Sequence, residues 1–146
     1  IIGIIVAIAI PNLLNAIQRA KQRRTMGDMR SAATAVEAYA VDLNRYPPAA
    51  GNYDLPFALT AVTMSKMKNY VSPTYIKAVP LADGWNSWFR YNTDATGNAY
   101  IFGSGGKDGL YTVAAVTSPV GPTTDFNADI IYSNGSFLQW PEGVQR

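Results

Sequence analysis

The chain contains neither cysteine nor histidine. Without cysteine there is no disulfide staple, thiolate nucleophile, zinc finger or cysteine-ligated cluster. Without histidine there is no Ser-His-Asp triad, no imidazole base and no histidine-held transition metal. Charge is also scarce. Asp, Glu, Lys and Arg make up 15% of the residues, against about 25% in ordinary soluble domains. The 12 Lys and Arg exceed the 10 Asp and Glu by only two. The donors that remain are carboxylates, hydroxyls and backbone oxygens, which suit hard cations such as calcium better than zinc or copper. Low charge suits a protein that buries much of its surface against copies of itself or against lipid. An aromatic share of 12% argues against disorder, and 146 residues fit one domain.

What is present begins with Ile1–Ile10, a run without one polar side chain, followed by Pro11 and Asn12. As a helix this run reaches about 15 Å, half of a bilayer core of about 30 Å, so alone it is not expected to span a membrane. It shows no basic stretch ahead of it and no small-residue cleavage site behind it, so it is not expected to be a signal peptide. Two readings stand. It is the buried end of a core helix, or it is the trailing half of a longer apolar span, with about ten residues expected ahead of Ile1.

Downstream, Met29, Ala33, Val36, Ala40 and Leu43 recur at spacings of 4, 3, 4 and 3, a single helical seam. Leu13, Ile17, Ala20 and Arg24 continue the spacing upstream, and Ala32, Ala33, Ala35, Ala38 and Ala40 favour helix. Tyr46-Pro47-Pro48 is the expected stop. One helix of about 43 residues is predicted, far above the mean of about 11–12, kinked where Pro11 removes a backbone hydrogen bond. A helix this long cannot be covered by the rest of the chain. Residues 1–27 are expected to project, and residues 28–146 to form a head.

Between the helix halves lie Arg19, Lys21, Arg23 and Arg24. They read as a collar attractive to anionic headgroups, as a nucleic-acid contact, or as a solvated face balanced by Asp28 and Glu37. No aromatic or Gly-rich platform accompanies them, so specific nucleic-acid binding is not expected.

Beyond Pro48 the chain turns loop-like, with one short helix expected near Leu59–Tyr70. Strand patterns follow at Trp88–Tyr91 and Ala99–Phe102 across a turn-rich link, then an apolar run at Leu110–Val116. A hairpin is predicted at Ile130–Tyr132 and Phe137–Trp140 around Asn134-Gly135; this tight turn also accounts for the sequon Asn134-Gly-Ser136. The expected fold class is α+β, a long N-terminal helix packed on an antiparallel sheet of about four strands. The glycines of Gly103–Gly109 lack the P-loop pattern, because Lys107 is followed by Asp108 and no helix pattern opens there.

The run Ile4–Pro11-Asn-Leu-Leu-Asn-Ala-Ile-Gln-Arg-Ala-Lys21, with Ala35-Val-Glu-Ala-Tyr39 and Tyr46-Pro47, resembles the N-terminal helix of type IV pilins and pseudopilins. The residues Val79-Pro80, Asp83-Gly-Trp85-Asn86, Phe89-Arg-Tyr91, Asp108-Gly109 and Ala128-Asp129-Ile130 resemble the major pseudopilin of type II secretion systems. The resemblance implies a subunit that polymerises with itself into a helical filament, its N-terminal helices forming the core. It also implies passage through the bacterial inner membrane and its assembly machinery, and an end point at the cell surface or in the periplasm. Assembly is then expected to rest on Ile4, Ile5, Ile8, Ile10, Leu13, Leu14 and Ile17, on a bend at Pro11, and on charge complementarity from Arg19, Lys21, Arg23 and Arg24. No cofactor is required. The resemblance also implies calcium-ligand positions at Asp108 and Asp129, with Asp125 standing in where Ala128 replaces an acidic residue. A membrane-tethered enzyme is the contrasting class; among the acids no catalytic pair stands out, and Ser65-Lys66 is an isolated dipeptide. A tethered binding module acting through Arg19–Arg24 is the other alternative.

Overall fold

A computed structural model describes residues 1–49, 64–111 and 121–145. Helix α1 runs unbroken over Ile2–Leu43, 42 residues, with Pro11 inside it. Pro11 does not break the helix, since one missing bond at the Ala7 carbonyl leaves the turns on either side intact. The helix stops before the expected prolines. Asn44 adopts the left-handed conformation (φ 59°, ψ 24°), and its N–H donates to the Ala40 carbonyl at 2.8 Å. This is the asparagine form of a left-handed C-cap.

The packed face of α1 comprises Gln22, Thr25, Met29, Ala32, Ala33, Ala35, Val36 and Tyr39. The predicted seam holds at Met29, Ala33 and Val36 and then fails. Ala40 is half-buried and Leu43 is 54% exposed. Apolar contact ends at Tyr39, whose ring meets Tyr70 and Tyr75 edge-on at 6.2 and 5.8 Å. The last turn is held instead by the Tyr75 hydroxyl, which donates to Asp42 at 2.6 Å. Of the helix expected near Leu59–Tyr70, residues 59–63 lie outside the described residues; a single turn, α2 (Lys68–Val71), is present.

The sheet has five strands, β1 (Arg90–Thr93), β2 (Tyr100–Ser104), β3 (Pro122–Thr123), β4 (Ile130–Ser133) and β5 (Ser136–Pro141), in the order β1-β2-β4-β5-β3. The first four in that order pair antiparallel, as expected. The purely antiparallel expectation needs one correction: β3 adds to β5 in parallel, Pro122 opposite Trp140 and Thr123 opposite Pro141. A proline-led strand of two residues is tolerated at an edge, where the missing N–H costs no ladder bond. Residues 112–116 of the expected Leu110–Val116 run lie outside the described residues. The β4–β5 hairpin turns on Asn134 and Gly135, both with positive φ (49° and 95°), as a tight two-residue turn requires.

One face of the sheet receives α1. Met29, Ala33 and Val36 join Tyr91, Tyr100, Phe102 and Ile130 in the main core. The opposite face carries a smaller cluster, in which Tyr111 and Leu138 cover Ile101 and Ile131. Strand β2 is therefore buried on both sides, which explains its run of apolar residues without strict alternation.

Candidate functional site: the projecting helix and its junction with the head

The first 17 residues of the chain are exposed and meet no other element among the described residues. Ile4, Ile5, Ile8, Ile10, Pro11, Leu13, Leu14 and Ile17 are all exposed, from 67% at Ile4 to 41% at Ile17. Neighbouring positions such as Ile4 and Ile5, or Leu13 and Leu14, point to different sides of a helix. Among the described residues no side of this stretch is covered. A contiguous apolar surface of this kind marks contact with another protein or with lipid. The length estimate from the ten-residue run needs correction. Because the helix continues through Pro11 and gains Leu13, Leu14 and Ile17, it contains an 18-residue window long and apolar enough to cross a membrane, none of it buried. At 1.5 Å per residue that window spans about 27 Å.

The basic residues follow directly and do not act as one patch. Arg24 pairs with Asp28 one turn on, at 3.7 Å. Arg19 Nε reaches the Asn15 carbonyl at 3.5 Å. Arg19 and Arg23 border a cavity of about 250 Å³ between α1 and the segment Pro141–Gln145. Lys21 is half-buried, its backbone against the head. No flat basic platform with stacking aromatics forms here.

The head grips the helix where the exposed stretch ends. The turn Asp83–Ser87 lies against Gln18–Thr25. The Gly84 N–H donates to the Thr25 hydroxyl at 2.9 Å, and that hydroxyl donates to the Lys21 carbonyl at 2.8 Å. The Trp85 indole N–H donates to the Gln18 side chain at 2.6 Å. Asp83 is buried and shapes the turn. One carboxylate oxygen accepts from the Trp85 and Ser87 N–H groups at 2.9 Å each, and the other accepts from the Ser104 hydroxyl at 2.6 Å. On the other flank, Gln22 donates to Gln145 at 3.3 Å, and Gln145 donates to the carbonyls of Thr123, Glu142 and Gly143.

A second clamp lies higher on α1. Glu37 accepts from the Tyr100 hydroxyl at 2.7 Å and from the Tyr46 hydroxyl at 3.2 Å. Burial first, and then the Glu37 carboxylate, push the Tyr100 hydroxyl far above the ordinary tyrosine range; Tyr46 is raised by the same causes. Both hydroxyls stay protonated as donors.

The three aspartates suggested as calcium ligands have separate local roles. Asp108 accepts from the Leu110 N–H at 3.0 Å and Asp125 from the Asn127 N–H at 2.9 Å, each closing a turn on its own backbone. Asp129 is fully buried at the start of β4. Among the described residues no three carboxylates gather into a group that could hold an ion; residues 112–120, between Asp108 and Asp125, lie outside the described residues.

The junction residues Gln22, Thr25, Asp83, Gly84 and Gln145 were not singled out from the sequence as functional. Asp83 and Gly84 enter the sequence reading only within the motif Asp83-Gly-Trp85-Asn86 quoted for the resemblance, and nothing local shows that they close on Lys21. Gln22 and Gln145 lie 123 positions apart and leave no local signal.

Sequence comparison adds the family. The family model described as Type II secretion system (T2SS), protein G, matches residues 12–120. The type II secretion system core protein G of Pectobacterium carotovorum subsp. carotovorum is 30% identical over 112 residues, covering 75% of this chain and 69% of the relative. That of Escherichia coli (strain K12) is 29% identical over 110 residues (75% and 74%), and that of Vibrio cholerae serotype O1 is 28% identical over 112 residues (75% and 75%). The crystal structure of the major pseudopilin from the type 2 secretion system of enterohaemorrhagic Escherichia coli is similar at a TM-score of 0.44, with 20% identity over 70% of this chain and 89% of that one. The family model covers most of the chain and the resemblance read from the helix and the sheet motifs agrees with it, so the chain belongs to the protein G family of type II secretion systems, the structural pseudopilins.

Proposed function

We propose that this chain is the repeating subunit of a periplasmic secretion pseudopilus, held in the inner membrane by α1 before assembly and drawn by the secretion machinery into a helical polymer of itself. The observation that carries the proposal is the bare apolar length of α1, continuous with a helix half that is packed firmly into the head. The surface from Ile4 to Ile17 requires cover. Lipid covers it before assembly, and the helices of neighbouring subunits cover it afterwards. In this reading the head's part is to hold α1 in one direction. Arg19, Lys21, Arg23 and Arg24 then lie at the edge of the packed helices, where they can meet acidic groups of adjacent subunits. Negative-stain imaging of the chain expressed with a type II assembly system tests the proposal. Filaments of regular width containing this subunit are expected; monodisperse particles alone would overturn it.

A further inference from the structure

We infer that the cavity bounded by Arg19, Arg23 and the Pro141–Gln145 segment receives the phosphate of an anionic phospholipid headgroup while α1 is in the membrane. This rests on the reading of residues 1–17 as lipid-embedded before assembly. Arg19, Gln22, Arg23 and Met26 share one helix face by their spacing of three and four, and all four border the cavity opposite Pro141, Gly143 and Gln145. The walls are built. Gln22 and Gln145 are both buried and bonded to each other, and Gln145 also ties down three carbonyls of its own segment and β3. At about 250 Å³ the space lies just below the roughly 300–1,000 Å³ of ordinary small-molecule sites, a size suited to one headgroup.

Charge and depth choose the ligand. Two arginines line the space, Arg19 with its Nε turned to the Asn15 carbonyl, and among the described residues no carboxylate forms an ion pair with either; the ion pair nearby joins Arg24 to Asp28. Glu142, between the lining residues Pro141 and Gly143 in sequence, is exposed and forms no ion pair with either arginine. Guanidinium forks match phosphate oxygens. The cavity opens where the apolar window ends, at the level of a headgroup layer if that window spans the bilayer. Two neighbours mark the same level. Val144 is 81% exposed on the cavity-forming segment, and Trp85, half-buried, directs its indole N–H to Gln18, the placement of an aromatic at a membrane interface.

The test is flotation of the full chain with vesicles of phosphatidylcholine, with or without phosphatidylglycerol, at physiological salt, with protease protection of residues 1–17 read in parallel. Preference for phosphatidylglycerol is expected, reduced about fivefold by each of Arg19→Gln and Arg23→Gln. It is also expected to fall in Arg19→Lys and Arg23→Lys, by no more than in the glutamine variants, because these keep the charge but not the fork. If the lysine variants keep the full preference, attraction is diffuse and the site is overturned. Equal insertion into both vesicles without preference overturns the site and leaves the membrane reading intact. Failure to insert into either overturns both. If inorganic phosphate raises the melting temperature and abolishes the preference, the cavity takes free phosphate and the lipid assignment falls.

Discussion

The Gly84 backbone N–H donates to the Thr25 hydroxyl across 2.9 Å, placing a turn of the head directly against the backbone of the long helix. A Cβ on Gly84 would collide with the Lys21 carbonyl, with the Lys21 carbonyl carbon and Cα also inside normal contact. The obstacle is helix backbone and cannot swing aside. Gly84→Ala is expected to cost about 1–3 kcal/mol, in the range of overpacked sites, and to loosen the helix rather than the sheet. Hydrogen exchange checks this: amides of Gln18–Thr25 should lose protection while those of β2 and β4 keep theirs.

The Tyr100–Glu37 pair gives the head a dependence on alkaline pH. The Tyr100 hydroxyl sits above its ordinary value of 10.0, chiefly through burial and then through Glu37. Below about pH 10 folded and unfolded chains both hold this proton, and stability does not depend on it. As pH rises further the unfolded chain releases the proton and the folded chain keeps it, so stability falls by about 1.4 kcal/mol per pH unit for each such group. Tyr100→Phe should cost about 1–2 kcal/mol at neutral pH, for the lost bond to a charged acceptor. It should also flatten the decline above about pH 10 by one proton's worth. Denaturant melts across pH read both effects; an unchanged slope would mean that the hydroxyl ionises freely in the folded head.

The long helix was legible because alanine content and seam spacing agree over many turns, and the Asn134-Gly135 hairpin because its turn type demands those residues. The failures lie where spatial neighbours are distant in sequence or signals are short. Asn44 ends α1 through a left-handed conformation that asparagine adopts without announcing it as glycine does. Strand β3 is two residues led by a proline, too short for any periodicity. The membrane-length reading counted only the ten residues without a polar side chain, whereas the apolar stretch resumes past Pro11 and Asn12 with Leu13, Leu14 and Ile17. The bare apolar stretch of α1 itself was visible as a run without a polar side chain. The junction that aims it was not, since the contacts of Gly84 with Lys21 and of Gln22 with Gln145 exist only after folding.

Asp108 and Asp125 are expected to behave as turn residues. Each carboxylate accepts one N–H two residues on, a bond worth about 0.5–1.5 kcal/mol. Asp108→Ala and Asp125→Ala should lower stability by that amount, equally in chelator and in millimolar calcium. Thermal melts of the two variants under both conditions check this. A cost that grows with calcium would show that these carboxylates contribute to a cation site after all.

Leu14 separates folding from assembly. It is 55% exposed and lies eight positions before the first buried residue of α1, Gln22. Leu14→Glu is therefore expected to remove no contact with the described residues of the head, and the melting stability of the head should stay within about 0.5 kcal/mol of the parent. Between packed helices of neighbouring subunits the same change buries a carboxylate without a partner, a penalty of several kcal/mol repeated at every subunit. Filament yield should fall to background while the protein remains folded and membrane-associated through the rest of its apolar length. Paired imaging and melting of this one variant check both halves. Filaments at the parental level would remove Leu14 from the packed seam, and a collapsed head would show that the exposed stretch contributes to the fold.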